Sequence, residues 1–254
     1  MRVVTAQELR DLWLGGRGLV LTFAFSLLLS VVAYLVATNR GLNFLEHRET
    51  VNLLLQVAIA VGALLSLLAA ADSVSGERER GTLESLLLTP VSRLGLTTGK
   101  LLGALSLWVV AFLVAIPYVW FLGRGVGLVG DALLTGAVVG TLLAVFLASF
   151  GVLISIFARS NRVSLSLSLL LLLALFVPTQ LPSSAQQGWA GDLLLRANPI
   201  TAGEHYVGTI VTNGHAWTTD ASWLISPLLC AAVFTVAALA LGARYVRLGG
   251  GSTG

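Results

Sequence analysis

The sequence predicts an all-α polytopic membrane protein with six transmembrane helices, and three observations support that class. Of the 254 residues, 56% are hydrophobic and 11% are charged, which is typical of an integral membrane protein and not of a soluble globular core. The mean hydropathy is +0.91. The apolar residues form six runs of about 20 residues, the length that an α-helix needs to cross about 30 Å of hydrocarbon.

Residues 1–17 are predicted to form an amphipathic helix at the membrane interface that leads into the first span. Thr5 and Glu8 have the spacing of a capping box, while Leu12 and Trp13 share one face and charged residues occupy the other. The segment lacks the short apolar core and cleavage site of a signal peptide. A mobile tail is the alternative interpretation.

The spans belong to one predicted domain, residues 18–247, which is followed by a flexible tail at 248–254. The predicted spans are residues 19–38, 51–71, 101–122, 132–157, 163–181 and 223–243. Pro178 and Pro182 can break the outer end of the fifth span, because proline cannot continue an α-helix. Since six is an even number, both termini are predicted on the same side of the membrane.

The basic residues indicate which side that is. Eleven of the 15 Lys and Arg residues lie on the side of the termini, and the positive-inside rule assigns that side to the cytoplasm. These residues are Arg2, Arg10, Arg17, Arg78, Arg80, Arg93, Lys100, Arg159, Arg162, Arg244 and Arg247. The chain is therefore predicted to lie in the cytoplasmic (inner) membrane with both termini in the cytoplasm.

The cytoplasmic loop at residues 72–100 carries the densest charge of the chain. Between residues 76 and 93 there are three acidic and three basic side chains. Gly76 and Gly81 bracket the quartet of Glu77, Arg78, Glu79 and Arg80, whose alternating charges belong in water or at lipid headgroups. A soluble partner would find most of its charged recognition here.

A short amphipathic helix is predicted directly after the quartet. The Thr82 hydroxyl can cap its first turn, Glu84 suits the positive end of the helix dipole, and Pro90 ends the helix about two turns later. One face is apolar and could enter a groove of a partner; it carries Leu83, Leu86 and Leu87. An ordinary loop helix packed on its own bundle is the alternative.

This loop resembles the hallmark loop of ABC-2 type permeases, the membrane subunits of ATP-driven transporters. The resemblance rests on ERERGTLE at 77–84, LLLTPVSR at 86–93 and GKLLG at 99–103. It implies that the short helix is a coupling helix which docks into a cytoplasmic ATPase, and that residues 1–17 form an elbow helix. The implied ATPase-coupling residues are Glu77, Arg78, Glu79, Arg80, Gly81, Thr82, Leu83, Glu84, Leu86, Leu87, Pro90 and Arg93.

Within that family the chain is most similar to the branch that includes the permeases of copper-maturation and gliding-motility systems. Asn198 and Pro199 support this placement, together with the run EHYVGTI at 204–210 ahead of the last span. The three histidines are scattered and Met1 is the one methionine, so no metal site of soft ligands is predicted. The lone Cys230 excludes an intramolecular disulfide.

The predicted spans contain no Asp, Glu, Lys, Arg or His, whereas ion-coupled carriers place ionisable groups at membrane depth. The chain also lacks a phosphate-binding G-x-x-x-x-G-K-[ST] motif and a nucleophile elbow. We therefore expect a non-catalytic subunit that binds no cofactor or nucleic acid, with ATP and Mg²⁺ bound at a partner ATPase.

The fourth span carries a pattern of small residues that predicts how it packs. Small residues recur every four positions in the fourth span, a pattern that allows close helix packing; they are Gly136, Gly140, Ala144 and Ala148. Contact within the subunit is favoured over a subunit interface.

The outer segment at 179–222 is predicted to form either a surface cap or, as the resemblance implies, a pair of short re-entrant or interfacial helices.

Together these features predict the permease subunit of an ABC transporter, and export is its expected direction. Its expected partners are two copies of a cytoplasmic ABC ATPase, a second permease copy or paralogue, and the lipid bilayer. An alternative is a mechanotransmission or scaffold subunit that passes ATPase motion to an extracytoplasmic protein on segment 179–222. An ATP-independent secondary carrier is a further alternative, which the apolar spans disfavour.

Overall fold

The fold is a bundle of long helices, and it confirms the predicted all-α polytopic class. The computed structural model describes residues 2–38, 44–82, 92–125, 127–180 and 188–245, and these ranges contain α-helices and short 3₁₀ turns but no β-strand. Among the described residues, six helices are long and apolar enough to cross a membrane.

The helices follow one another along the chain with short connections. The α-helices of the described ranges are α1 Arg2–Leu14, α2 Arg17–Ala37, α3 Phe44–Asp72, α4 Ser75–Glu79, α5 Arg93–Gly123, α6 Val129–Phe157, α7 Asn161–Phe176, α8 Trp189–Ala197, α9 Pro199–Val211 and α10 Ile225–Tyr245. Two 3₁₀ turns, Val177–Gln180 and Ala221–Leu224, follow α7 and precede α10.

Helix α1 meets α2 at a sharp turn, and its start differs from the prediction. The helix begins at Arg2, so Thr5 lies inside the helix and the predicted capping box at Thr5 and Glu8 is wrong. At the other end, Gly16 adopts a φ of 82°, a left-handed conformation that glycine enters without steric cost. The indole of Trp13 donates to Ser106 Oγ at 3.1 Å, which ties α1 to α5.

The centre of the bundle is α3, which packs against both α5 and α6. Leu54, Leu55 and Leu67 of α3 have no exposed surface, and Leu107 and Trp108 of α5 are 1% and 3% exposed. In the most apolar 18-residue stretch of α3 and of α6, 56% of the residues are buried inside the bundle. The corresponding fraction is 11% for α2 and 17% for the last span. The inner pair therefore forms the core, and the outer helices present apolar side chains to lipid.

The small-residue stripe of α6 faces the other helices of the same chain. A Cβ atom at Gly136 would lie 2.6 Å from Leu55 Cδ1, and one at Gly140 would overlap the ring of Trp108. Ala144 and Ala148 are fully buried. The stripe lets α6 approach α3 and α5 closely, which is contact within the subunit.

Two spans differ in extent from the predicted apolar runs. The third helix begins at Arg93 and not near residue 101, because Ser92 caps it by accepting a hydrogen bond from the Gly95 amide at 3.1 Å. Lys100 therefore lies inside a continuous helix. The fifth ends at Phe176 and continues as a 3₁₀ turn that contains Pro178, which cannot continue an α-helix.

Two short helices, α8 and α9, follow the fifth span; residues 181–187 lie outside the described ranges. Asn198 fixes the start of α9, since its Oδ1 accepts from the Ile200 amide at 2.9 Å and its Nδ2 donates to the Leu175 carbonyl at 2.6 Å. Tyr206 donates to the Trp217 carbonyl at 3.0 Å. Helix α9 packs on α3 and α6 at one end of the bundle. We call this the opposite end, because the charged side chains described below lie at the other end.

Candidate functional site

The other end of the bundle, which we call the charged end, gathers charged and polar side chains from six helices. Their shared feature is an ion pair or hydrogen bond that joins two elements distant in sequence. This charged cluster consists of Glu8, Arg17, Asp72, Glu77, Arg78, Arg80, Lys100 and Asn161.

Lys100 is the buried cation of the cluster. Its side chain is 1% exposed, and its Nζ forms ion pairs with Glu8 Oε1 at 3.0 Å and with Glu77 Oε1. A buried ammonium is costly unless it is paired and hydrogen-bonded. Because the two carboxylates come from α1 and α4, Lys100 joins these helices to the third span.

Glu77 lies toward the interior of the bundle, at 15% side-chain exposure. The family resemblance places Glu77 among the residues that contact or orient an ATPase. In the structure its Oε1 is occupied by Lys100, and its buried Oε2 has no hydrogen-bond partner among the described residues. Glu77 can therefore orient the loop from within the bundle, through α5.

Asp72 forms a second junction at the last residue of α3. Its Oδ2 accepts from Arg17 at 2.9 Å and lies 3.5 Å from Arg80, and its Oδ1 accepts from Asn161 Nδ2 at 2.6 Å. The Asp72 side chain is 11% exposed, whereas both arginines are more than half exposed. This carboxylate joins α2, α3 and α7. Asp72 was not among the predicted site residues, although its position at the end of an apolar run was a signal.

Arg78 holds α4 to the end of α6. Its guanidinium donates to the carbonyls of Ala158 at 2.6 Å and Ile156 at 3.1 Å, groups that the end of a helix leaves without intrahelical partners. One turn earlier in α6, Ser155 Oγ accepts from the amides of Val74 and Ser75 at 3.0 and 2.9 Å. The connection between α3 and α4 is therefore docked on α6 by polar contacts.

We expect Arg78→Gln to lower the free energy of unfolding by about 1.5 kcal/mol, the low end for hydrogen bonds to a charged group, because Arg78 is partly solvated. Arg78→Lys should restore part of that loss, since lysine retains the charge without the planar fork. Thermal unfolding in neutral detergent would measure both. Arg93→Gln, at an exposed position of the same loop, is the matched control and should shift the transition little. Equal effects at both positions would contradict the capping role of Arg78.

The remaining predicted coupling residues divide into two sets. Glu79, Arg80, Gly81, Thr82 and Arg93 are exposed at the charged end, where a partner could reach them. The others lie outside the described residues, and their predicted role stays a prediction; they are Leu83, Glu84, Leu86, Leu87 and Pro90.

A large cleft opens beside the cluster, with about 1830 Å³ of empty space, its mouth included. Its charged wall includes Asp72, Glu77 and Lys100. Its apolar wall is built by leucines of four helices, Leu12, Leu21, Leu68, Leu165 and Leu169. A cleft with one charged and one apolar wall can accommodate a molecule that has a polar head and a hydrocarbon chain.

Long apolar helices joined by an ionic cluster at one end define a polytopic membrane protein whose charged loop is tied to its spans. Comparison with protein families identifies the family: the model for "ABC-2 family transporter protein" matches residues 2–247. The chain therefore belongs to the ABC-2 transporter family and is a membrane-spanning transporter subunit, and membership implies an ABC ATPase partner. No match was found among the curated proteins with which the sequence was compared.

Proposed function

We propose that this chain is the permease of an ABC exporter and couples ATP hydrolysis by a cytoplasmic ATPase to movement of a substrate. Two ATPase copies would bind ATP and Mg²⁺, and a second permease copy or a paralogue would complete the path. The charged end would face the cytoplasm of a cell whose inner membrane holds the protein. Eleven of the 15 Lys and Arg residues on that side support this orientation.

The observation that carries the proposal is the double ion pair of Lys100. Residues 80–92 connect α4 to α5, and Lys100 holds the start of α5 to Glu77 on α4 and to Glu8 on α1. A force applied to the loop would therefore reach the third span along the helix and the first helix through Glu8. Asp72 and Arg78 would carry the same movement to α2, α7 and α6.

We expect Glu84→Lys to uncouple ATP turnover from the permease while the protein stays in the membrane. A positive charge near the start of the predicted coupling helix opposes the helix dipole and reverses the charge offered to the ATPase. The measurement is purification of the tagged chain from its native host in mild detergent, with mass spectrometry of the bound proteins and an ATPase assay. Asp192→Lys, at an exposed site on α8, is the matched control.

The proposal requires that the wild-type chain and the Asp192 variant capture an ATPase with a phosphate-binding motif, and that the Glu84 variant loses capture or stimulation of its activity. A Glu84 variant whose ATPase behaves as in the wild type would contradict the coupling assignment. If an extracytoplasmic protein co-purifies and no continuous pore exists between the permeases, the mechanotransmission alternative would replace solute export.

A further inference from the structure

The cleft beside the charged cluster has a cavity volume of about 710 Å³, within the range of about 300–1,000 Å³ that small-molecule sites occupy. Its lining comes mainly from α1 to α5 and α7. No step of the proposed coupling role uses this space. The cleft is large enough for a lipid headgroup and the first part of an acyl chain.

The charged and apolar walls of the cleft lie at successive depths of the bundle. Arg17 is the first residue of α2 and Asp72 is the last residue of α3, so both lie where a span reaches the lipid headgroups. One turn further into the spans, leucines of α2, α3 and α7 line the same cleft; they are Leu21, Leu68 and Leu165. A lipid with its headgroup at the first level would therefore have its acyl chain beside these leucines.

Two arginines of the cleft share one carboxylate. Arg17 Nη1 donates to Asp72 Oδ2 at 2.9 Å, and Arg80 Nη2 lies 3.5 Å from the same oxygen. Two positive charges facing one negative charge leave a local positive surplus. The arginine side chains are 62% and 51% exposed, and a guanidinium has five N–H donors, so donors remain open to a ligand. Their planar fork matches the oxygens of a phosphate.

The α1 side of the same cleft carries the opposite surplus. Lys100 pairs with both Glu8 and Glu77, which leaves one negative charge in excess. Asp11, three residues after Glu8, is exposed and lines the cleft, and it forms no ion pair within the described ranges. A purely anionic headgroup would be repelled by the carboxylates and a purely cationic one by the arginines. A zwitterionic headgroup offers each part of the cleft the opposite charge.

We propose that this cleft binds an aminophospholipid of the leaflet at the charged end, with its phosphate between Arg17 and Arg80, its ammonium toward Asp11 and one acyl chain against the apolar wall. The occupant is a lipid and not a free phosphate, because a chain is needed to cover the leucines. A primary ammonium is selected over a quaternary one, since its N–H groups can donate to a carboxylate. The inference does not depend on the coupling function or on the side that the charged end faces.

The test uses the full chain in neutral maltoside detergent and three phospholipids with identical 12-carbon chains, whose headgroups are ethanolamine, glycerol and choline. Native mass spectrometry counts the bound lipids, and the concentration dependence of thermal stabilisation gives their affinities. The ethanolamine lipid should bind about tenfold more tightly than the other two, the effect of one hydrogen bond to a charged group.

Two substitutions separate the two halves of the headgroup. Arg17→Gln should weaken all three lipids about tenfold, because each contains the phosphate. Asp11→Asn should remove the preference for ethanolamine, while the glycerol lipid binds no more weakly than before. Arg159→Gln, at an exposed position of the charged end, and Asp192→Asn, at an exposed site on α8, are the matched controls and should behave as the wild type does.

A cleft-filling variant tests the placement of the chain independently of the charges. Leu165→Trp should weaken all three lipids, whereas Leu170→Trp, at a position of the same helix that is 63% exposed, should not. Equal affinities for the three headgroups, a preference for the glycerol lipid, or unchanged binding in the Arg17 or Leu165 variant would overturn the proposal. Glycerophosphoethanolamine, the headgroup without chains, should not displace the lipid; displacement at similar concentrations would identify a soluble phosphate as the occupant and also overturn it.

Discussion

Replacing Lys100 by methionine is expected to lower the free energy of unfolding by about 3–5 kcal/mol, the cost of removing one partner from a buried ion pair. Methionine fills much of the same space but leaves the carboxylates of Glu8 and Glu77 together without their cation. Glu77 already has one buried oxygen without a partner among the described residues. Thermal or chemical unfolding of the purified chain in neutral detergent would measure the loss.

The pH dependence of the Lys100 variant distinguishes an electrostatic cause from a packing defect. Lowering the pH from 7 to 5 favours the neutral form of a carboxylate that is buried without a cation, as Glu77 would be in this variant, so the variant should regain stability relative to the wild type over that range. The combined change Lys100→Met with Glu77→Gln should also recover part of the loss, because one of the two charges is gone. A deficit that is the same at both pH values, with no recovery in the double variant, would contradict the ion-pair explanation.

Asp192→Asn is the control for a carboxylate whose ion pair is exposed. Asp192 pairs with Arg196 one turn away on α8, at 2.9 Å, and both side chains are at least half exposed. Such pairs contribute about 0–1 kcal/mol. The contrast with Lys100 would show that burial, and not the number of ion pairs, determines how firmly the charged end is held.

The six spans and the charged loop could be predicted from the sequence because both are local patterns. An apolar run of sufficient length reports a span wherever it occurs, and the motif at 77–84 is contiguous. Lys100 was part of the recognised motif, but its partner Glu8 lies 92 residues away. No periodicity in the sequence specifies a contact at that separation.

The prediction that the spans contain no charged residue applies to the apolar runs and not to the whole helices. The apolar run of the third span begins after Lys100, but the Ser92 cap starts the helix at Arg93. A charged side chain therefore enters a continuous span helix where it has carboxylate partners. Hydropathy marks the hydrocarbon part of a helix, while the cap and the ion pairs determine where the helix starts.

Glu204 is the clearest case of a group whose setting could not be predicted. In the sequence, Glu204 begins the run at 204–210 that resembles one branch of the family. Glu204 lines a narrow cleft that exists because α9 packs against α3 and α6, and a short helix that returns to the bundle leaves no hydropathy signal of its own. Gly203 permits the close approach of α9 to α6. That role can be seen only when the two helices are known to be neighbours.

Gly140→Leu is expected to destabilise the bundle by about 3 kcal/mol, the upper part of the usual range for overpacking a core. A Cβ atom at Gly140 would overlap Trp108 and lie 3.2 Å from Ile59 Cγ1. The indole cannot easily rotate away, because it is 3% exposed and its Nε1 donates to Thr141 Oγ1 at 3.1 Å. The added side chain must therefore separate α6 from α3 and α5, which unfolding in detergent would detect as a lower transition temperature.

Gly130→Leu provides the matched control, since Gly130 lies in the same helix and a Cβ atom there meets no atom within 4 Å. It should leave stability nearly unchanged. Combining Gly140→Leu with Trp108→Leu should cost less than the sum of the two single changes, because the smaller side chain makes room and residues in direct contact are not additive. Strict additivity, or equal losses at Gly130 and Gly140, would mean that the α6 contact with Trp108 does not limit helix approach, and the small-residue stripe would need another role.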